Sequence, residues 1–267
     1  MPAAVDPHVA RTWIERMRDG ARERVEDEVA IEEPLEIRVD GSALAVTMRT
    51  PGEDEELAVG FLAGEGLIAD AADVESAGPT DDFAANTIDV RTTRGLRRDP
   101  ADERRFYLTS SCGVCGKGAL EFVRVEAPPA HAQASVDPAL VAAAPARARE
   151  EQTAFERTGG LHATALFEAG GELLVVREDV GRHNAMDKAI GSQLLAGRFP
   201  LPDVVACLSG RASFELVQKA ALAGLAGIVA VGAPSSLAVE LARERGMLLC
   251  GFARGASFNV YSGTLRS

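Results

Sequence analysis

The chain changes its hydrophobic rhythm several times, and each change predicts a different element. Residues 1–28 are densely charged, with Val9, Trp13 and Met17 four positions apart, a spacing that predicts a weak amphipathic helix or a mobile tail. In "EEPLEIRVDGSALAVTMRTPGED" short apolar runs alternate with polar positions and break at Asp40-Gly41 and Pro51-Gly52, the pattern of a β-hairpin. "EDEELAVGFLAGEGLIADAADV" reads as a helix whose acidic start suits the positive end of the helix dipole. Strands are expected at "TIDVRTT" and "RFYLTSS". Ala and Pro then dominate, placing a linker at 127–136. Asp137-Pro138 should open a helix, since proline suits the first helical position; Pro145 should kink or divide it, and Gly159-Gly160 should close it. "HATALFEAGGELLVVRED" alternates around Ala169-Gly170-Gly171 as a second hairpin.

The last third has the clearest pattern. The apolar runs in "DVVACLS", "IVAVG" and "MLLCGFA" suit buried strands, and the segments between them, "FELVQKAALAG" and "LAVELARERG", suit helices. Strands and helices alternating at this length make right-handed βαβ units around a parallel sheet. The expected fold class is therefore α/β. A core over 137–267 would carry helices on both faces, beside a smaller α+β region over 29–126 and a charged tail over 1–28.

In such a sheet the turns leaving the strands' carboxyl ends share one edge, where ligands bind. Those turns are "REDVGRHN", "SGRAS", "GAPSS" and "FARGAS". They hold Arg177, Arg182, Arg211 and Arg254, glycine in every one, and Ser213, Ser235 and Ser236 at the starts of helices. Backbone N–H groups, a positive helix end and glycine that permits close approach are what a phosphate needs. Each serine could equally be a plain helix cap. A nucleotide or other phosphorylated ligand is the expectation for the edge as a whole. With neither a P-loop nor a strand-linked GxGxxG string present, the usual P-loop and Rossmann modes of binding are not expected.

Composition narrows the classes. The formal net charge is −12, which argues against a sequence-tolerant nucleic-acid binder but leaves room for a local basic pocket. The charged N-terminus lacks a signal-peptide core, and the longest apolar run, 220–233, is short of a membrane span, so a cytoplasmic protein is expected. Four cysteines in 267 residues do not make a disulfide scaffold.

Two of those cysteines define the most unusual stretch, "TSSCGVCGKG". Cys112 and Cys115 sit three apart among glycines, with Lys117 close by to favour a thiolate. A structural zinc site would need a second ligand pair, and none is evident; Cys207 and Cys250 lie inside apolar strand runs, and His162 and His183 suit the loop edge better. A dithiol oxidoreductase would want the pair at a helix N-terminus, which the surrounding glycines disfavour. A glycine-rich, mobile CxxC loop carrying persulfide sulfur fits better.

"SSCGVCGKG", with "TPGEDEELAVGFLAGEGLI" before it and "GGLHATALF", "REDVGRHNAMDKAIG", "SGRASFELVQKAALAG" and "GFARGASFNVYSG" after it, closely resembles the FdhD family of formate dehydrogenase accessory proteins. The likeness runs from about Glu32 to the end. It implies a sulfurtransferase that takes sulfur from a cysteine desulfurase and passes it to the molybdenum or tungsten cofactor, a bis(molybdopterin guanine dinucleotide), to activate formate dehydrogenase. It further implies a cytidine deaminase-like core and a homodimer. Deaminase chemistry itself is not expected, because "LHAT" has no glutamate after the histidine and no proline precedes Cys112.

By position, the resemblance makes Cys112 the persulfide-bearing residue and Cys115 its partner. It assigns Phe252, Ala253, Arg254, Gly255, Ala256 and Ser257 to the guanine dinucleotide, for which GDP can stand in, with His183 and Asn184 as further contacts. Arg211, Ser235 and Ser236 join them as the loop-edge candidates. A non-catalytic cofactor-binding chaperone and a dithiol oxidoreductase are the alternatives from other classes.

Overall fold

The computed structural model describes residues 6–80, 86–97 and 136–266. At the N-terminus, β1 (Val9–Arg18) and β2 (Ala21–Ala30) pair antiparallel as a two-stranded ribbon. This differs from the expected tail or helix over 1–28, and the reason is local. Asp19 and Gly20 both take positive φ, 52° and 80°, the geometry of a tight hairpin turn. Across the ribbon the charges then become cross-strand pairs, Arg11 with Glu26 and Glu28, and Arg22 with Glu15. Arg157 ties the ribbon to the body through Asp6 and Glu28.

The second sheet has four strands in the order β4-β3-β6-β5: β3 (Glu33–Val39), β4 (Ser42–Arg49), β5 (Val74–Pro79) and β6 (Thr87–Thr92). The β3–β4 hairpin turns at Asp40-Gly41 as predicted, both residues left-handed. The predicted strand "TIDVRTT" is β6, whereas "RFYLTSS", Cys112 and Cys115 lie outside the described residues. Helix α1 (Asp54–Gly64) follows β4 and starts with Asp54, Glu55 and Glu56.

The main sheet runs β12-β11-β10-β9-β7-β8, from β7 (His162–Glu168), β8 (Leu173–Asp179), β9 (Val204–Leu208), β10 (Gly227–Ala230), β11 (Leu248–Arg254) and β12 (Ser257–Ser262). β9, β10 and β11 are parallel, and β7 is antiparallel to both β8 and β9, so β8 to β11 all point one way. β12 returns antiparallel to β11, which makes "FARGAS" a strand end and hairpin turn rather than a loop into a helix.

Alternate residues on these strands face different layers. On one face Val205, Cys207, Val229 and Cys250 pack against α2 (Pro138–Glu150), with α3 (Thr153–Thr158) following it. On the other, Val204, Ala206, Leu208 and Ile228 meet α4 (Arg182–Leu195), α5 (Phe214–Leu222) and α6 (Ser236–Arg245). The mixed α/β architecture with helices on both faces is thus observed. Asp137 caps α2 by accepting from the Ala139 N–H at 2.8 Å, with Pro138 in the first turn. Pro145 does not divide α2, which stays continuous to Glu150; burial of Leu140, Val141, Ala144 and Ala148 against the sheet holds both sides of the proline in one helix. The interruption comes at 151–152, and Gly159, left-handed at φ 65°, closes α3.

The boundary expected at 127–136 divides the sequence but not the core. One hydrophobic cluster joins Leu35, Ile37 and Leu57 of the N-terminal region to Met186, Ile190 and Val217 of the C-terminal one. α1 and α4 approach so closely that a Cβ on Gly60 would stand 1.8 Å from the Asp187 carbonyl oxygen, and one on Gly191 1.9 Å from that of Glu56. Among the described residues no helix is long and apolar enough to cross a membrane.

Candidate functional site

The carboxyl ends of β8 to β11 form one edge, and there the α2–α3 break stands off the sheet to leave a cleft of about 710 Å³. Ligand pockets commonly fall in the range of about 300–1,000 Å³. One wall is Arg149, Gln152 and Phe155 from the end of α2 and the start of α3; the other is His162, Ser209 and Arg254 from the strand ends. Cys207 lies at the sheet side, 2 % exposed.

The edge is cationic, although the chain as a whole is acidic. Arg182, Arg211 and Arg254 have no carboxylate partner among the described residues. Some arginines elsewhere are neutralised, Arg49 by Asp54 at 2.8 Å and Arg177 by Glu56 at 2.5 and 2.7 Å, while others, such as Arg147 and Arg243, bond backbone carbonyls instead. Arg177, expected at the edge, is therefore spent on α1. His162, half-buried at the start of β7, is held below the usual histidine range by burial first and then by the charges of Arg182, His183 and Arg211, with Asp179 opposing. Neither ring nitrogen has a hydrogen-bond partner among the described residues.

The neutral groups are also poised for a ligand. Ser209 Oγ accepts the Ala163 N–H at 2.8 Å, which leaves its own proton to donate. Gln152 is 4 % exposed, and its Nε2 has no partner among the described residues. Leaving a buried amide donor unsatisfied costs about 1–3 kcal/mol, so an acceptor arriving in the cleft would relieve it. Arg149 lies over the Phe155 ring at 4.5 Å and donates to the Gln152 carbonyl at 3.3 Å, giving that wall a cationic aromatic surface. These groups fit a ligand with phosphates and a flat ring.

The expected site residues divide between this cleft and other places. Ala253, Arg254 and Gly255 line it. Phe252 is exposed, left-handed at φ 53°, with its N–H on the Gly232 carbonyl; Ala256 is in the turn and Ser257 opens β12. Arg211 is exposed at the end of β9 and packs beside Gly232. Ser235 caps α6 by accepting from the Ala238 N–H at 3.3 Å, and Ser236 is exposed in its first turn. Ser213 starts α5 without a capping bond.

His183 and Asn184 belong to the other face. Asn184 is buried and bonds the Met48 carbonyl at 2.7 Å, Asp179 at 2.9 Å and Thr47 at 3.2 Å. Asp179 in turn holds Lys188 at 3.0 Å, and Lys188 donates to the Thr50 carbonyl at 2.8 Å. Much of "REDVGRHNAMDK" is thus spent on fastening the N-terminal region to α4. His183 Nε2 stands 3.7 Å from Glu215 on α5.

Cys207 and Cys250 sit on one face of strands β9 and β11 with Val229 between them, and burial pushes both thiols up to about 12, so they stay protonated at neutral pH. A nucleophilic thiolate is not available from either. Ser209, Gln152, Arg149 and Phe155 are not among the expected site residues, and His162 is expected only as a hydrogen-bonding group of the loop edge. His162 carried a visible signal in "GGLH", whereas residues 149–155 belong to a helical stretch whose place over the sheet is set by folding.

Known proteins bear this architecture. The FdhD/NarQ family model matches residues 30–267. A protein of Streptomyces avermitilis called sulfur carrier protein FdhD is 50 % identical over 270 residues, covering 96 % of this chain and 94 % of that one. Its namesake in Mycolicibacterium paratuberculosis is 54 % identical over 243 residues, covering 88 % and 89 %. A crystal structure from Desulfotalea psychrophila, described as a candidate formate dehydrogenase accessory protein, superposes with a TM-score of 0.77 at 26 % identity, covering 96 % of this chain and 98 % of that one. With the match running over the main sheet, the cleft and the CxxC segment alike, this chain belongs to the FdhD/NarQ family.

Proposed function

We propose that this protein is a sulfur carrier serving formate dehydrogenase, with Cys112 as the carrying thiol and the cationic cleft as the seat of the acceptor. The relatives' shared name supports the carrier role. The observation that carries the acceptor reading is the convergence of Arg182, Arg211 and Arg254, none with a carboxylate partner among the described residues, on the edge that holds the cleft, in a chain of net charge −12. Uncompensated cations beside an open cleft suit a polyanion.

In this reading a cysteine desulfurase presents a persulfide, and the Cys112 thiolate attacks its terminal sulfur. The desulfurase cysteine leaves as a thiolate, and Cys112 keeps the sulfane sulfur. Cys115 acts beside it as the second thiol. The acceptor is the molybdenum bis(molybdopterin guanine dinucleotide), bound as substrate: Arg254 and Arg211 face its phosphates, Ser209 donates, and the Arg149–Phe155 wall covers a ring. The sheet and its helices are read as a cytidine deaminase-like core, with "LHAT" supplying no deaminase glutamate. A cytoplasmic homodimer completes the proposal.

The test is mass spectrometry after incubation with a desulfurase and cysteine. One added sulfur on Cys112, absent from Cys112→Ala, together with loss of formate dehydrogenase activation in cells carrying that variant, is expected. Full activation by Cys112→Ala would reduce the protein to a binding chaperone, and a reversible Cys112–Cys115 disulfide that forms without a desulfurase would indicate an oxidoreductase.

A further inference from the structure

A half-buried imidazole with no hydrogen bond to any described residue, placed among cations on the wall of a cleft, is an unusual arrangement. His162 lines the cleft beside Ser209 and opposite Gln152. Around it stand Arg182 and His183 from α4, Arg211 from the β9–α5 turn and Asp179 from the end of β8. Further charges border the same space: Arg149 from α2 and Arg254 from β11 line the cleft, and Glu215 from α5 faces His183. A purely structural histidine in such a place would be expected to spend at least one ring nitrogen on a carbonyl or carboxylate. Among the described residues His162 spends neither.

We infer that His162 is a phosphate-binding residue of the cleft, neutral while the cleft is empty and protonated when an anionic ligand enters, so that binding takes up a proton from solvent. The inference rests on the reading of the cleft as an anion site. Its physics is simple. In the free protein the arginines oppose a further positive charge, and burial adds to that, which agrees with the downward shift of His162. A phosphate at the edge offsets the arginine charges and supplies a strong acceptor. Both changes favour the imidazolium, which then donates from both nitrogens. Linkage makes the two events reciprocal: what raises the proton affinity of His162 makes ligand affinity grow as pH falls.

The experiment uses GDP as the probe, with the full chain. Affinity is measured by calorimetry from pH 8 to pH 6 for wild type and His162→Gln, and the histidine ring signals are followed by NMR with and without GDP. Since GDP titrates its own phosphate in this range, the ratio of wild-type to variant affinity is the quantity read. That ratio should grow toward pH 6, by up to about tenfold for each unit that the ligand raises the His162 pKa. The His162 signal should titrate at higher pH in the complex, while His8 does not move. Binding of GDP with a pH-independent ratio and an unmoved His162 overturns the inference and leaves the anion site standing. No GDP binding by wild type at any pH removes the anion site and the inference together.

Discussion

On the proposed reading of the cleft, single residues in it trade stability for a ligand. Gln152 keeps an amide nitrogen buried without a partner among the described residues, a cost that a well-packed free protein has no reason to carry. Gln152→Leu removes that donor at nearly constant volume. Thermal unfolding without ligand should therefore rise, by about 1 kcal/mol or about 2 °C, while GDP affinity falls. A lowered melting temperature would show the amide to be structural after all. Arg254 was legible in the sequence because its glycine-flanked turn sits at the end of an unmistakable strand. Gln152 was not, since nothing in "REEQTAFE" marks an amide that later folds over a sheet edge. Asn184 shows the opposite failure. Its motif drew attention, yet its hydrogen bonds go to Asp179, Met48 and Thr47, and a motif read by residue type cannot separate a ligand contact from a buried clasp.

Elements were legible where turn chemistry and periodicity agreed. Asp40-Gly41 between alternating runs gave β3 and β4, and Asp137-Pro138 gave the start of α2. The N-terminal ribbon departs from the expected tail or helix because Val9, Trp13 and Met17 at helical spacing point to a helix, whereas Asp19-Gly20 is the same turn pair as Asp40-Gly41, twenty-one residues later. The closeness of α1 and α4 was also hidden, as Gly60 and Gly191 show only small residues inside helices. Their role is to let two backbones touch. Gly60→Ala drives a methyl group toward the Asp187 carbonyl, and the helix pair must separate. Chemical denaturation should show a loss of about 3 kcal/mol or more. An alanine variant of wild-type stability would mean that the α1–α4 contact is looser than described.

At the scale of the whole molecule, the expected parallel α/β sheet is found in β9 to β11, within a mixed sheet where β7 and β12 run antiparallel, and a cleft lies at the edge where a ligand is expected. The sequence could not foretell that the N-terminal region shares the core of that sheet, since the one cluster that holds Leu35 and Ile37 with Met186 and Ile190 gathers segments far apart in the chain. Nor does a net charge of −12 announce a cationic edge, since it does not say where along the fold Arg182, Arg211 and Arg254 gather without carboxylates among the described residues. The account therefore turns on where a guanine nucleotide binds. A crystal structure of the protein soaked with GDP should place the phosphates beside Arg254 and His162, with the ring on the Arg149–Phe155 wall, and Arg254→Ala should weaken binding about tenfold or more. Nucleotide density on any other surface, or undiminished affinity in Arg254→Ala, would contradict it.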